Sequence, residues 1–477
     1  MLDRKRVEKG LNVALGIFIV IVGGIALKRF ATDNYVPKGF EQPEEHAAPL
    51  YKVKEHVDDG AKAFKDGPPV VTEDDEPLKP GEGQAAEWLA GHFQFKQPIP
   101  AQGEPPEGWT EIESSLSPQA CGTCHPQQLS QWNESWHHLG MGPGMMGQLV
   151  DAEDSFVHAC QRCHAPNAEQ YPKLDGEENP VYMAELRTEG LTCAGCHVRG
   201  WDRYGPPTEG HPQGSEIDPE QAATAEATEP LVDPNEGLPH GGFIARDEFQ
   251  DPLFCEGCHD GRIAAGKQLE EKKIQETYQE WRRTEFAGDG VTCQSCHMPE
   301  GDHSFKGIHD REFTQGAFEA TAELSSLGDG MVAKPLEATL TITNTGAGHR
   351  FPTYTTPRVV LVIEQLDAGG TPIEGTRQQM FVARALTPNL QTELYDTRIL
   401  PGESQSLEYS AARHEQCAKI SARVEVWPDE AYRKNYEIWI KNETYPAEGL
   451  KLLEEAMQAA TDSRYVAWER AVDLSQQ

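Results

Sequence analysis

The chain is short of positive charge and short of apolar side chains, and each shortage removes a class of readings. Lys and Arg total 42 against 77 Asp and Glu, a formal net charge of −35. A surface that acidic repels a phosphate backbone, which excludes nucleic acid as a partner. The acids are spread along the whole chain, the pattern of a solvated surface that can also receive basic redox proteins. Apolar residues make up 38% of the 477, few for the two or three domains that this length allows. Something other than side chains must help to fill the interior.

One long apolar run stands out. Leu11–Leu27 (LNVALGIFIVIVGGIAL) has only Asn12 polar, follows Arg4, Lys5, Arg6 and Lys9, and is closed by Lys28 and Arg29. Its 17 residues, at ~1.5 Å each, cover roughly 26 Å, enough to span a bilayer. No small-x-small site follows, which favours an uncleaved anchor over a cleaved signal peptide, the competing reading. The excess of Lys and Arg before the run stays cytoplasmic, so residues 31–477 are expected in the periplasm, tethered to the inner membrane.

What the chain has in abundance is one motif. Cys-x-x-Cys-His occurs at Cys121–Cys124–His125, Cys160–Cys163–His164, Cys193–Cys196–His197, Cys255–Cys258–His259 and Cys293–Cys296–His297. This is the attachment signature of c-type haem. Two thiols three positions apart reach the two vinyl groups on one porphyrin edge, and the next His turns its imidazole onto the iron. Zinc ribbons also use Cys-x-x-Cys, but they need facing pairs and have no use for a His after every second Cys. Thioredoxin-type dithiols fail for the same reason. The expected cofactors are therefore five covalently attached haem c groups. They consume ten of the eleven cysteines and leave Cys417 as a buried apolar residue.

The texture along the chain divides it. Residues 1–30 are the anchor and 31–115 an acidic, Pro-rich tether, with His46, His56 and His92 facing solvent and Trp88, Phe93 and Phe95 able to dock. Residues 116–317 form the pentahaem domain, mainly α-helical and irregular. Pro126 opens a helix over 127–139 with Trp132 and Trp136 on one face. Residues 204–239 are a Pro-rich surface loop, and Arg262–Arg283 reads as one long amphipathic helix. From about 318 the pattern alternates, as in Leu336–Asn344, in part of Arg358–Gln365, and in SARVEVW at 421–427. Residues 318–430 are accordingly expected as an all-β, sandwich-like module. Residues 431–477 are expected as a helical segment, with a final helix over Pro446–Leu474.

The sixth position of each iron decides its function. A second His gives a low-spin haem that only passes electrons, whereas an open position admits substrate. SPQACGTCHPQQLSQWNESWHHLGM followed by CQRCHAP, together with GLTCAGCHV and GVTCQSCHMP, resembles the cytochrome c-554 and hydroxylamine oxidoreductase-related multihaem family over residues 117–310. The resemblance implies that His137, in Ser135-Trp136-His137, caps a different haem. It also implies distal roles for His240, ahead of the fourth motif, and for His303 and His309, after the fifth. His349 lies in NTGAGHRFP, and such GHxFP loops occur in multihaem proteins with an appended sandwich. Gly346 and Gly348 are expected to let that loop turn tightly. His158, two residues before Cys160, could cap a neighbouring haem. His138, His211 and His414 are expected as surface or supporting residues, and Met141, Met145 and Met146 as packing.

The chain lacks the CxxCK used at the active haem of ammonia-forming nitrite reductases, and it has five motifs rather than the seven or eight of hydroxylamine oxidoreductase-like enzymes. Six distal candidates for five irons favour an electron carrier between respiratory redox partners. The alternative is an oxidoreductase acting on a small nitrogen or sulfur compound at one incompletely ligated haem. A third reading is a subunit of a larger respiratory complex, docked through the β module.

Overall fold

A computed structural model describes residues 98–174, 176–207, 239–260, 274–332, 334–387 and 393–474. The apolar run Leu11–Leu27, most of the tether with its histidines and aromatics, and His211 lie outside these residues. Among the described residues no helix is long and apolar enough to cross a membrane.

The main core lies between two antiparallel sheets in the C-terminal half. Its strands are β1 (Phe318–Met331), β2 (Lys334–Asn344), β3 (Arg358–Leu366), β4 (Gln378–Val382), β5 (Arg384–Leu386), β6 (Glu393–Asp396), β7 (Ser404–Ala411), β8 (Lys419–Trp427) and β9 (Tyr465–Asp473). One sheet runs β7-β2-β1 and the other β9-β8-β3-β4, with β5 and β6 forming a separate pair. Strand β2 alternates as its sequence does: Leu336, Leu340 and Ile342 point into the core, and Thr341 and Thr343 face out to bond Ser406 and Ser404. Strand β3 alternates only in part because all nine of its residues are buried. Val359, Leu361 and Ile363 enter the main core, while Val360 and Val362 pack on the other face with Phe381, Tyr395 and Trp427.

Three expectations are corrected. The final helix stops at Asp462 (Ala447–Asp462), and residues beyond it form β9, paired along β8 with Ala422 opposite Arg470. The β module therefore draws its edge strand from beyond residue 430. The helix after the first motif ends at Asn133, because the Ser135 hydroxyl takes the Trp132 carbonyl at 2.7 Å. Trp132 is then buried and its indole donates to Leu191 O, while Trp136 is 47% exposed, so the two do not share a face. Between the fourth and fifth motifs the described helix is only Thr277–Trp281, with residues 261–273 outside the description.

The haem-motif region has short helices and only small apolar clusters, such as Leu116, Leu186, Val198 and Trp201. Residues 98–115, which composition groups with the tether, pack onto this region. The Ile99 amide donates to Pro166 O, and Trp109 meets Trp201 edge-on. The helix Ala447–Asp462 closes back on Pro143–Leu149, where a Cβ at Gly147 would sit 2.8 Å from the Gly449 carbonyl. Only a residue without a side chain allows that backbone approach.

Candidate haem centres

Each Cys-x-x-Cys-His motif occupies a turn of short helix. Four of the helices end at the motif histidine: Asp154–His164, Cys193–His197, Leu253–His259 and Cys293–His297. At the first motif the His125 amide bonds back to the Cys121 carbonyl, giving the same turn. Helical geometry explains the spacing, since positions i, i+3 and i+4 share a face and direct two thiols and an imidazole to one side.

Four of the motif imidazoles face a second imidazole. His125 faces His240 with ring centres 6.4 Å apart, His259 faces His137 at 6.1 Å, His197 faces His303 at 6.2 Å, and His297 faces His349 at 6.4 Å. A metal between two imidazoles needs bonds of about 2 Å, plus about 1.1 Å from each nitrogen to its ring centre, roughly 6.2 Å in all. The spacing therefore fits an iron between each pair.

The ring tautomers fit as well. His197 Nδ1 bonds Tyr204 O at 2.7 Å, His297 Nδ1 bonds Lys306 O at 2.7 Å, and His164 Nδ1 bonds Gly140 O at 2.8 Å. On the opposing side His240, His303 and His349 use Nδ1 toward the carbonyls of Gly242, Gly301 and Arg350. A ring that donates from Nδ1 presents the bare Nε2 lone pair that a metal binds. Burial pushes His137 down to about 3, and His197, His259 and His349 down to about 4, so these imidazoles stay neutral. Sequence reasoning missed the carbonyl supports, and no signal could have found them, because any residue type supplies a carbonyl.

The motifs also touch one another. The thiols of Cys121 and Cys193, of Cys163 and Cys258, and of Cys255 and Cys293 lie close enough to influence one another electrostatically. Motif one is thus joined to three, two to four, and four to five, while Cys196 of motif three lies near both Cys255 and Cys258.

The remaining candidates are placed elsewhere. His309 bonds Asp429 at 2.9 Å and stacks on Trp136 with ring centres 3.6 Å apart. His158 reaches Lys173 O and meets Tyr171 edge-on. Neither faces a motif imidazole, because each ring is held by its own local partner. Among the described residues no second imidazole is placed opposite His164. Met141 is buried, with Met145 and Met146 packed beside Cys160, and Cys417 is buried in the sandwich core. His138 lies against Trp132, and His414 sits in a turn where its Nδ1 accepts from the Gln416 amide.

No family model matches the chain. No curated protein matches it either. Among solved structures, a penta-heme cytochrome c552 from Thermochromatium tepidum is similar at 20% identity and a TM-score of 0.49, over 76% of this chain and 99% of that one.

Proposed function

We propose that this chain is a membrane-tethered, periplasmic c-type cytochrome with five haems, relaying electrons between respiratory redox partners. The observation that carries this is the set of four imidazole pairs at 6.1–6.4 Å, each built on a Cys-x-x-Cys-His turn. Bound there, haem c supplies reversible one-electron iron chemistry. The protein's part is to hold and to exclude. The cysteines would anchor each group, the paired histidines would hold it from two sides and exclude substrate, and backbone carbonyls fix the rings of His197, His240, His297, His303 and His349. Contact between motifs keeps the five groups contiguous, as a relay requires. The acidic surface suits basic partners, which include those of a larger respiratory complex.

A second reading, an oxidoreductase acting on a small nitrogen or sulfur compound, is favoured by one observation. His164 has no opposing imidazole among the described residues, and such an enzyme would use the second motif.

Both readings meet in one experiment on the mature protein. Intact mass should show five haem increments, and the oxidised paramagnetic resonance spectrum should be dominated by low-spin irons. Three or fewer increments, or mostly high-spin irons, would overturn the proposal. A high-spin signal confined to one iron and abolished by cyanide favours the oxidoreductase, and its absence favours the carrier.

The anchor has its own test. Replacing residues 1–30 with a cleavable signal should release soluble holoprotein from the membrane fraction. If the native chain already fractionates as soluble, there is no anchor.

A further inference from the structure

We propose that Asn344 is the residue that positions His349 opposite His297. This deepens the function proposed above and rests on His349 being an axial ligand. Asn344 ends β2 and is fully buried. Its Nδ2 donates to the His349 carbonyl at 2.9 Å and to the Ile399 carbonyl at 3.1 Å, and its Oδ1 accepts from the Ala347 amide at 3.0 Å. One carboxamide therefore ties the middle and the end of the loop to the sandwich. The same Ile399 carbonyl takes the Phe351 amide at 2.8 Å, so the exit from the loop is fastened at the same point.

Asn344 acts through the backbone. It touches the His349 carbonyl, and the imidazole follows because His349 Nδ1 is itself bonded to Arg350 O at 2.9 Å. From the haem-motif side the loop is met by Thr284, whose hydroxyl donates to Gly348 O at 3.2 Å. The glycines serve close approach and not a left-handed turn, since neither Gly346 nor Gly348 has positive φ. A Cβ at Gly346 would run into the Gly316 carbonyl. The loop is thus pressed between the two halves of the molecule, and Asn344 is its fastening on the sandwich side. No other side chain of that size supplies both donors and the acceptor: Asp lacks the donors and Leu lacks all three.

The test uses the mature, haem-loaded protein. Asn344→Asp keeps the acceptor for Ala347 and removes both donors. Losing two buried hydrogen bonds should loosen the ligand by about tenfold. One haem of the five should then take up cyanide about tenfold more readily than in the wild type, and one low-spin signal should shift. If Asn344→Asp does not mature, Asn344→Ser carries the same readout, because it is smaller, uncharged and equally unable to span both carbonyls. A lowered melting temperature with unchanged cyanide uptake and unchanged spin states would reduce Asn344 to a packing residue and overturn the proposal. His349→Ala separates the two failures. If it produces a high-spin haem while the Asn344 variants do not, only the positioning role fails. If it does not, the ligand assignment fails first.

Discussion

The His349→Ala protein, folded and carrying all five haems, has one haem converted to the high-spin state and able to bind cyanide or carbon monoxide. The reason is geometric. The His349 and His297 rings are nearly parallel, 10° apart, with centres separated by 6.4 Å, close to the roughly 6.2 Å expected for a metal held between two imidazoles. No imidazole is free to replace it among the described residues, since His309 is held by Asp429 and Trp136, and His303 faces His197. A loop that merely packed would give a different result. Shortening His349 would then cost on the order of 1–3 kcal/mol through a cavity and leave every spin state unchanged. Wild-type spectra from folded, fully loaded His349→Ala protein would refute the ligand role.

A chain stopped after Ser463 loses the sandwich. Strand β9 pairs with β8 along its length, supplies Ala467 to the core, and packs Trp468 and Val472 against it. It also fastens the module to the segment after the fifth motif, because Tyr465 donates to Ile308 O at 2.7 Å and Gln315 donates to Ala467 O at 2.7 Å. Removing it exposes the β8 edge and strips apolar cover from β8 and the core beneath, a cost on the order of 5 kcal/mol. That is comparable with the whole stability of a typical domain. The expected result is loss of the cooperative melt, rapid proteolysis within residues 318–427, and loss of the axial ligand presented by that module. If residues 464–474 were instead the end of a helix, truncation would cost little. A wild-type melting curve from the shortened chain would contradict the paired strand.

The same contrast separates what each level of structure decides. The five candidate attachment motifs are legible in the sequence because their geometry is local. Cys, Cys and His at i, i+3 and i+4 need only one helical turn to share a face, whatever surrounds them. Alternation likewise marks β2, where one face is solvated, and blurs in β3, where both faces are covered. The fate of residues 465–473 is not local. Their apolar spacing suits a helix nearly as well as a strand, and the open edge of β8 decides between them.

Partner choice at the irons is less local still. His137 follows the first motif in sequence and faces the fourth, and His303 follows the fifth and faces the third. The sequence offers both His309 and His349 as distal candidates, but Asp429 and Trp136 hold the first and the Asn344 loop sets the second opposite His297. By itself the sequence marked five Cys-x-x-Cys-His motifs as candidate attachment points and determined the sign of the formal charge. Only the tertiary structure decided which imidazole opposes which, and that His164 faces none among the described residues, because such a pair joins side chains whose separation is set by the packing of the elements between them.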